Sequence, residues 1–447
     1  MHVALLVASV LSLAALLTLR VYAAWQLPAL RTPWDDDFYR AAAAATADKQ
    51  GVFATARNLV LPHAGLVIEG RLNGYNDWLV AATKVRGALG ISSNEVAFQT
   101  LNAVLLLLQA LAILLFARWS LKDRALAWGF TFLYISAPVV FGTSRWVHTE
   151  NLVLLAGVAL SGLTAWLLGR GGRPRPHARL ALVMSTGLAA WGIGLCTRAR
   201  EYAAPSFIVL FLCTELVLLF RKRRLEAGVV ATVTGTFMVP WLPAIVEALQ
   251  VMLSKGGQSR YFHSLAEWIP HVAFYAVGPS FTIVLLALGV VVLVQRSRGL
   301  VQLLPASKVS VRRFLRAELS GVRPLVWSHL FLFAFYAAGF VWSRNRVTRP
   351  AVPMMLAGLG LVLIGIRSLP SLRAWLQRTP VKLVALALIA MSWSVLTYQL
   401  WFAFEGGKTY AHHGYRLEYF NYPLHLRPLK DPSDRHICFD GCPYDSR

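Results

Sequence analysis

The sequence predicts an all-α integral membrane protein that crosses the bilayer many times. Hydrophobic residues make up 57% of the 447 residues and charged residues only 15%, and the mean hydropathy is +0.54. Several apolar runs approach the roughly 20 residues that a helix needs to cross the hydrocarbon core. This composition argues against a soluble globular domain.

Apolar runs of sufficient length predict a bundle of about eleven transmembrane helices. We place them at approximately 3–24, 96–117, 125–141, 150–169, 180–196, 203–220, 227–252, 278–295, 325–342, 350–366 and 382–401. The first run has no basic N-terminal region and no small-residue cleavage site after it, which predicts a retained signal anchor. A transmembrane domain at 1–401 and a short tail at 402–447 follow from this division.

The basic residues indicate the orientation. The net charge of +23 is concentrated in clusters between the spans, which is typical of Lys and Arg retained at cytoplasmic membrane ends, so we expect no nucleic-acid partner. With the N-terminus in the cytoplasm, every strongly basic connection falls on the inner side. These connections are 118–124, 170–179, 221–224, 296–323 and 367–382. The segment 296–323 is partly amphipathic and is expected to rest on anionic membrane lipids.

Function is expected on the opposite, extracytoplasmic side. That side receives a first loop at 25–95, a second loop at 253–277 and the tail after residue 401. Short turns at 142–149, 197–202 and 343–349 complete it. In the first loop, the alanine-rich stretch 38–47 and the apolar spacing of 76–90 predict two helices that lie along the membrane interface.

Three consecutive carboxylates, Asp35, Asp36 and Asp37, follow the first span. Like charges repel one another and are costly beside a membrane unless a proton, a cation or a polar substrate offsets them. The cluster therefore predicts an active-site acid, although Asp is also common as a cap before a helix. One carboxylate could accept a proton from an attacking hydroxyl group, and two could hold a divalent cation such as Mg²⁺ or Mn²⁺.

A second outer element, residues 143–151, opens a span. His148 and Glu150 would face the same recess as the three aspartates if the outer loops converge. The alternative is that Thr149 or Glu150 caps the helix, because acidic residues favour a helix N-terminus. Glu150 is therefore either a helix cap or a second candidate acid. In the second case, His148 and Glu150 would line the acceptor or metal side of the site.

Arginines on two outer turns run against the charge bias and need another explanation. They are Arg198, Arg200, Arg344, Arg346 and Arg349. A guanidinium group matches phosphate oxygens, so these turns predict a site for a lipid-linked phosphate. For the turn at 197–202, the alternative is a salt bridge to Glu201 or contact with lipid headgroups.

The second outer loop and the tail supply the remaining candidates. The Gly256-Gly257 pair would let the loop at 253–277 close over a donor. The residues of this loop that would contact the donor are Arg260, Tyr261 and His263. Cys438 and Cys442 lie close together, which predicts a disulfide if the tail is outside the cytoplasm. The alternative is a zinc site that uses His436 as a further ligand.

Taken in order, the outer segments resemble the GT-C class of membrane glycosyltransferases, which use polyprenyl-phosphate sugars. Asp35 to Tyr39 resembles the acid and aromatic motif of the first outer loop in that class. Residues 56–67 and 71–79 are similar to a bacterial branch that includes mycobacterial cell-wall arabinofuranosyltransferases. Residues 196–198 resemble a later Thr-Arg turn, and residues 346–353 resemble an Arg-aromatic-x-x-Pro-x-x-Pro run. The wider group includes protein mannosyltransferases and aminoarabinose transferases.

The resemblance implies an inverting transfer from a polyprenyl-phosphate-linked sugar to a glycan, lipid or protein hydroxyl group. It also implies a bacterial inner (plasma) membrane location, an active site on the extracytoplasmic face, and one aspartate that activates the acceptor. Asp35 and Asp36 match the motif equally well, because the triple Asp permits two registers. Asn73 stands where the branch usually has an acid, and Val347-Thr348 replaces an aromatic and aliphatic pair; both departures bear on the identity of sugar and acceptor.

Two other functions remain open from the sequence. A flippase or transporter of lipid-linked sugar would also need arginines and a polar cavity, but it would not depend on an outer carboxylate. A non-catalytic scaffold in an envelope complex would bind no such lipid. We see no inverted pair of broken segments in the sequence, which argues against a transporter.

Overall fold

The structure is a computed structural model of the chain. It describes residues 1–26, 35–60, 67–68, 71–72, 74–144, 149–169, 183–184, 186–187, 190–192, 194, 198, 203–243, 246, 273, 277–301, 318–342 and 351–401. These residues are mostly helical, with one short β ribbon. The predicted class, an all-α membrane protein, is confirmed at this coarse level.

The first predicted outer loop contains three helices and the ribbon. After α1 (His2–Gln26) come α2 (Asp35–Lys49), α3 (Val52–Val60), β1 (Val67–Ile68), β2 (Arg71–Leu72) and α4 (Gly74–Ala88). The strands are antiparallel, with Val67 opposite Leu72. Helices α2 and α4 cover the two stretches that the sequence predicts as helical. Helix α3 and the ribbon were not predicted.

The remaining helices form the bundle. They are α5 (Asn94–Leu121), α6 (Arg124–Ile135), α7 (Pro138–Thr143), α8 (Glu150–Gly169), α9 (Ala204–Phe220), α10 (Arg224–Met238), α11 (Pro279–Val301), α12 (Arg323–Trp342), α13 (Ala351–Ser368), α14 (Pro370–Leu376) and α15 (Thr379–Trp401). The predicted span at 125–141 is divided into α6 and α7. Pro138 is the reason, since it lacks an N–H group and disfavours helical backbone at the residue before it.

Within the described part of the chain, five helices are long and apolar enough to cross a membrane. They are His2–Trp25, Asn94–Leu121, Glu150–Gly169, Pro279–Arg298 and Thr379–Thr397. A sixth candidate is the pair Val352–Ser368 and Pro370–Leu376, which is bent by 101°. The five helices and Val352–Ser368 coincide with predicted spans, whereas Pro370–Leu376 lies in the connection predicted at 367–382. The full number of about eleven spans stays a prediction.

The basic connections meet at one end of the described bundle. Lys382 Nζ at the start of α15 lies 3.1 Å from the carboxylate of Asp123, which precedes α6. The Arg367 guanidinium, at the end of α13, lies 4.8 Å from the ring centre of Trp119 near the end of α5. Arg296 of α11 donates to the hydroxyl group of the last residue of α13. The described basic ends thus share one side of the bundle, which is the arrangement that the positive-inside pattern requires.

Helices α12 and α13 pack closely against each other in the bundle. A side chain at Gly360 of α13 would overlap the imidazole ring of His329 of α12. His329 Nε2 in turn lies 3.1 Å from Ser161 Oγ of α8. Small residues of this kind let membrane helices approach closely, and polar contacts then join them.

Candidate active site

The helix ends opposite the basic side meet around Arg20. Its Nε donates to Ser144 Oγ at 3.0 Å, and its Nη2 donates to Gln99 Oε1 at 2.9 Å. Arg20 lies in an apolar helix and is only 1% exposed. A buried charge in such a helix is costly unless polar groups surround it, and charged residues within spans are commonly functional. Through these bonds, Arg20 joins α1 and α5 to the end of α7.

Glu150 follows Ser144 in the chain after the predicted turn at 142–149, and it is the first residue of α8. It is buried, and Thr149 Oγ1 donates to its Oε2 at 3.2 Å. Its neighbour Asn151 donates from Nδ2 to the Thr143 carbonyl at 2.8 Å, and Gln109 of α5 donates to the Asn151 carbonyl at 3.2 Å. The start of α8 is therefore fixed against α5 and α7. Glu150 thus lies at the helix start, as the sequence predicts, and its role as an acid stays a prediction.

The three aspartates are the first residues of α2, and the structure describes their backbone but not their side chains. One turn further, Tyr39 is 1% exposed and its ring meets the ring of Tyr75 edge-on at 5.7 Å. Tyr75, at the start of α4, donates from its hydroxyl group to Asn102 Oδ1 at 2.7 Å. The turn of α2 that follows the aspartates is therefore held against the start of α4, which in turn is bonded to α5.

Arg198 binds the same start of α4. Its Nη2 forms an ion pair with Asp77 Oδ2, and its Nη1 donates to the Asn58 carbonyl of α3 at 2.9 Å. The guanidinium also lies 4.6 Å from the ring centre of Trp241. Burial lowers the pKa of Arg198 below its ordinary value, and the Asp77 carboxylate acts in the opposite direction by favouring the charged form. Helix α4 is thus a neighbour shared by Arg198 and by the turn of α2 that follows the aspartates.

This geometry changes the interpretation of Arg198. The sequence predicts a phosphate ligand or a partner of Glu201, which lies outside the described residues. The structure pairs Arg198 with Asp77. Both charged groups of the pair are only 4% exposed. A donor phosphate would therefore have to bind a guanidinium that Asp77 already holds in place. The phosphate role of Arg198 stays a prediction.

Gly74 permits the close contact between α4 and Arg198. A Cβ atom at Gly74 would lie 2.8 Å from the carbonyl carbon and oxygen of Arg198 and would overlap its Cβ. Gly74→Ala is therefore expected to lower the thermal unfolding midpoint of the purified protein in detergent, because overpacking costs about 1–3 kcal/mol.

Gly87→Ala is the matched control for that substitution. Gly87 lies near the end of the same helix, and nothing lies within 4 Å of its Cβ position. Replacing a helical glycine by alanine there should stabilise the protein by about 0.5–1 kcal/mol. Equal unfolding midpoints for the two variants would contradict the contact between Gly74 and Arg198.

A small, partly open cavity lies between α8, α9, α12 and α13. Val153, Ala203 and Pro353 line it near the helix ends that carry the candidate turns. Leu160 and His329 line it closer to the middle of the bundle. The wall is almost entirely apolar, so the cavity suits a hydrocarbon chain better than a polar group.

Many of the predicted site residues lie outside the described residues. They are His148, Arg200, Arg344, Arg346, Arg349, Arg260, Tyr261 and His263, together with Cys438 and Cys442 of the predicted disulfide. The described side chains include no group of three His, Cys, Asp or Glu residues that could hold a metal ion. A divalent cation at Asp35 and Asp36 stays a prediction.

The structure adds Arg20 and Asp77, which sequence reasoning did not select. Arg20 could have been noticed as the basic residue near the far end of an otherwise apolar first span. Asp77 could have been noticed because acidic residues are scarce in this chain, which has 21 Asp and Glu against 44 Lys and Arg. No sequence signal indicated that Asp77 pairs with Arg198, since they are far apart in the chain.

Comparison with known proteins adds no family assignment. No protein-family model matches the chain, and no curated protein matches it either.

Proposed function

We propose that this protein is a membrane glycosyltransferase that moves a sugar from a polyprenyl-phosphate donor to an extracytoplasmic hydroxyl group. The observation that supports this activity most is the position of the triple-aspartate turn. It begins a helix whose Tyr39 contacts Tyr75 at the start of α4, where Arg198 also binds. Such a transfer needs a carboxylate that takes a proton and a cation that stabilises the phosphate, and the segments that carry both contact the start of α4.

In the proposed reaction, the acceptor oxygen attacks the sugar carbon that is bonded to phosphate. The new carbon–oxygen bond forms as the bond to phosphate breaks, so the configuration is inverted. Asp35 or Asp36 takes the proton of the acceptor hydroxyl group. The polyprenyl phosphate leaves as an anion, which needs positive charge rather than a general acid. Candidates for that charge are Arg198, Arg200, Arg344, Arg346 and Arg349.

The proposal includes a GT-C-like bundle of about eleven spans in a bacterial plasma membrane, with the basic ends in the cytoplasm. The acceptor is a cell-envelope glycan, lipid or protein. Glu150 and His148 would lie on the acceptor side. The apolar cavity between α8, α9, α12 and α13 would hold part of the polyprenyl chain of the donor.

Filling the cavity provides a test of the donor class. Ala357→Phe, on the cavity wall, is expected to reduce the amount of polyprenyl lipid that co-purifies with the protein about tenfold, which corresponds to about 1.4 kcal/mol of lost binding. Ala334→Phe, on the exposed face of α12, is the matched control and should retain lipid. Mass spectrometry of the purified variants measures the lipid, and thermal unfolding checks their folding.

Equal lipid content in both variants would contradict the assignment of the cavity. The absence of any polyprenyl lipid from the wild-type protein would instead favour a scaffold. A flippase of lipid-linked sugar would also co-purify with the lipid, but it would leave the bond between sugar and phosphate intact.

A further inference from the structure

Four large apolar side chains are exposed on α3, on α4 and just beyond α4. Val52 is 67% exposed, Phe53 92%, Val85 48% and Leu89 65%. We call these residues the anchoring patch. None of them belongs to a described helix that is long enough to span a membrane. Exposed apolar groups of this size outside the spans indicate a surface that binds a lipid or a protein.

The position of the patch favours lipid. Leu89 N donates to the Val85 carbonyl at 3.0 Å, so both side chains lie on one face. The candidate span α5 begins soon afterwards at Asn94, with Ser93 as its N-cap. The end of α4, with Val85 and Leu89, is therefore expected to lie where the chain enters the bilayer.

The other two residues of the anchoring patch, Val52 and Phe53, lie on α3. Its last turn lies at the start of α4, because Arg198 binds both Asn58 and Asp77. Helix α3 packs against α4, and Val52 and Phe53 belong to the first turn of α3, at the other end from Asn58. The four exposed apolar side chains thus belong to two segments that pack together.

Basic residues accompany the patch. Lys49 and Arg57 are exposed, and Lys84 and Arg86 are half-buried. Long cationic side chains beside exposed apolar residues are typical of segments that rest on anionic headgroups, because the stems stay in the apolar zone and the charges reach the phosphates.

We infer that the anchoring patch inserts into the outer leaflet among anionic phospholipids and holds α2 and α4 at a fixed height above the bilayer. The patch is thus expected to contact lipid. Contact between the patches of two copies of this chain would rule out this inference. The patch does not depend on the proposed glycosyl transfer, since it would anchor the first loop whatever reaction that loop supports.

Spin labelling of the full-length protein tests this. Phe53→Cys and Ala45→Cys are made in a variant in which the four native cysteines are replaced by serine. Ala45 is the control, an exposed residue of α2 outside the patch. The labelled proteins are reconstituted in vesicles of phosphatidylcholine, with or without phosphatidylglycerol. Collision with oxygen reports contact with the bilayer, and collision with a nickel chelate reports contact with water.

We expect the ratio of oxygen to nickel accessibility to be several-fold higher at residue 53 than at residue 45 in vesicles with phosphatidylglycerol. Lys84→Gln with Arg86→Gln should reduce the ratio at residue 53 toward the value in phosphatidylcholine alone. A water-exposed label at residue 53, or no effect of the charge variants, would overturn the inference. Spin–spin broadening between residue 53 labels would also overturn it, because the patch would then contact a second copy.

Discussion

Asn in place of Asp35, or in place of Asp36, is expected to lower sugar transfer by about 10²–10⁴-fold, the usual contribution of a general base. A carboxylate can accept the proton of the acceptor hydroxyl group, whereas the amide that replaces it cannot. The side chains are nearly the same size, and Asn is also favoured at a helix start, so α2 should persist. The two variants are made separately, because the sequence matches the acid motif in two registers.

Asp48→Asn is the matched control for these variants. Asp48 lies in the last turn of the same helix and is exposed. It should leave transfer unchanged, since it is far along α2 from the contact between Tyr39 and Tyr75. Full transfer by both the Asp35 and the Asp36 variant, with unfolding midpoints equal to wild type, would show that neither aspartate is the base.

Asp77→Asn is expected to cause the largest loss of stability. The substitution leaves the Arg198 guanidinium buried without its carboxylate, and breaking a buried ion pair in this way costs about 3–5 kcal/mol. The matched control is Glu226→Gln, which removes the partner of Arg223 in a more exposed pair at 3.0 Å. That change should cost at most about 1 kcal/mol. Thermal unfolding of the purified proteins in detergent measures both.

The double variant Asp77→Leu with Arg198→Leu distinguishes the structural role of Arg198 from its proposed role in binding the donor phosphate. Without either charge, the site should regain much of the lost stability, because apolar residues can replace a buried ion pair at little cost. If Arg198 also contacts the donor phosphate, transfer should stay low in the stable double variant. Recovery of both stability and transfer would show that Arg198 has only a structural role. A stable Asp77→Asn variant would contradict the ion pair itself.

Much of the coarse fold was readable from the sequence, because a membrane span is a long local signal. The runs at 3–24, 96–117 and 150–169 coincide with helices that qualify as spans. The basic connections were also readable, since their charge bias depends on local composition. The contacts of Asp123 with Lys382 and of Trp119 with Arg367 agree with their predicted placement on one side.

The candidate site was only partly readable, because it depends on contacts between distant parts of the chain. The sequence selected Arg198 as a phosphate ligand, with a salt bridge to the nearby Glu201 as the alternative, since a local partner is the one that spacing can suggest. The structure pairs Arg198 with Asp77, which lies on another element. Arg20 was not selected, although it joins three helices through Gln99 and Ser144. Hydrogen bonds of this kind arise from packing and leave no periodic pattern.

The break between α6 and α7 was also missed, although its cause is local. The run at 125–141 is apolar throughout, so hydropathy alone predicts a single span. Pro138 interrupts it, and the two helices that result are Arg124–Ile135 and Pro138–Thr143. At this position proline determines the helix boundary despite the apolar run.

The most direct test of the central claim is product formation by the purified protein in vesicles. The vesicles carry a polyprenyl phosphate with an isotope-labelled sugar, and a panel of hydroxyl-bearing acceptors is added. We predict that labelled sugar appears on an acceptor while an equal amount of sugar-free polyprenyl phosphate is released, and that the Asn variant of the catalytic aspartate abolishes both. Labelled lipid that crosses the bilayer with its sugar still attached, and without any product, would contradict glycosyl transfer.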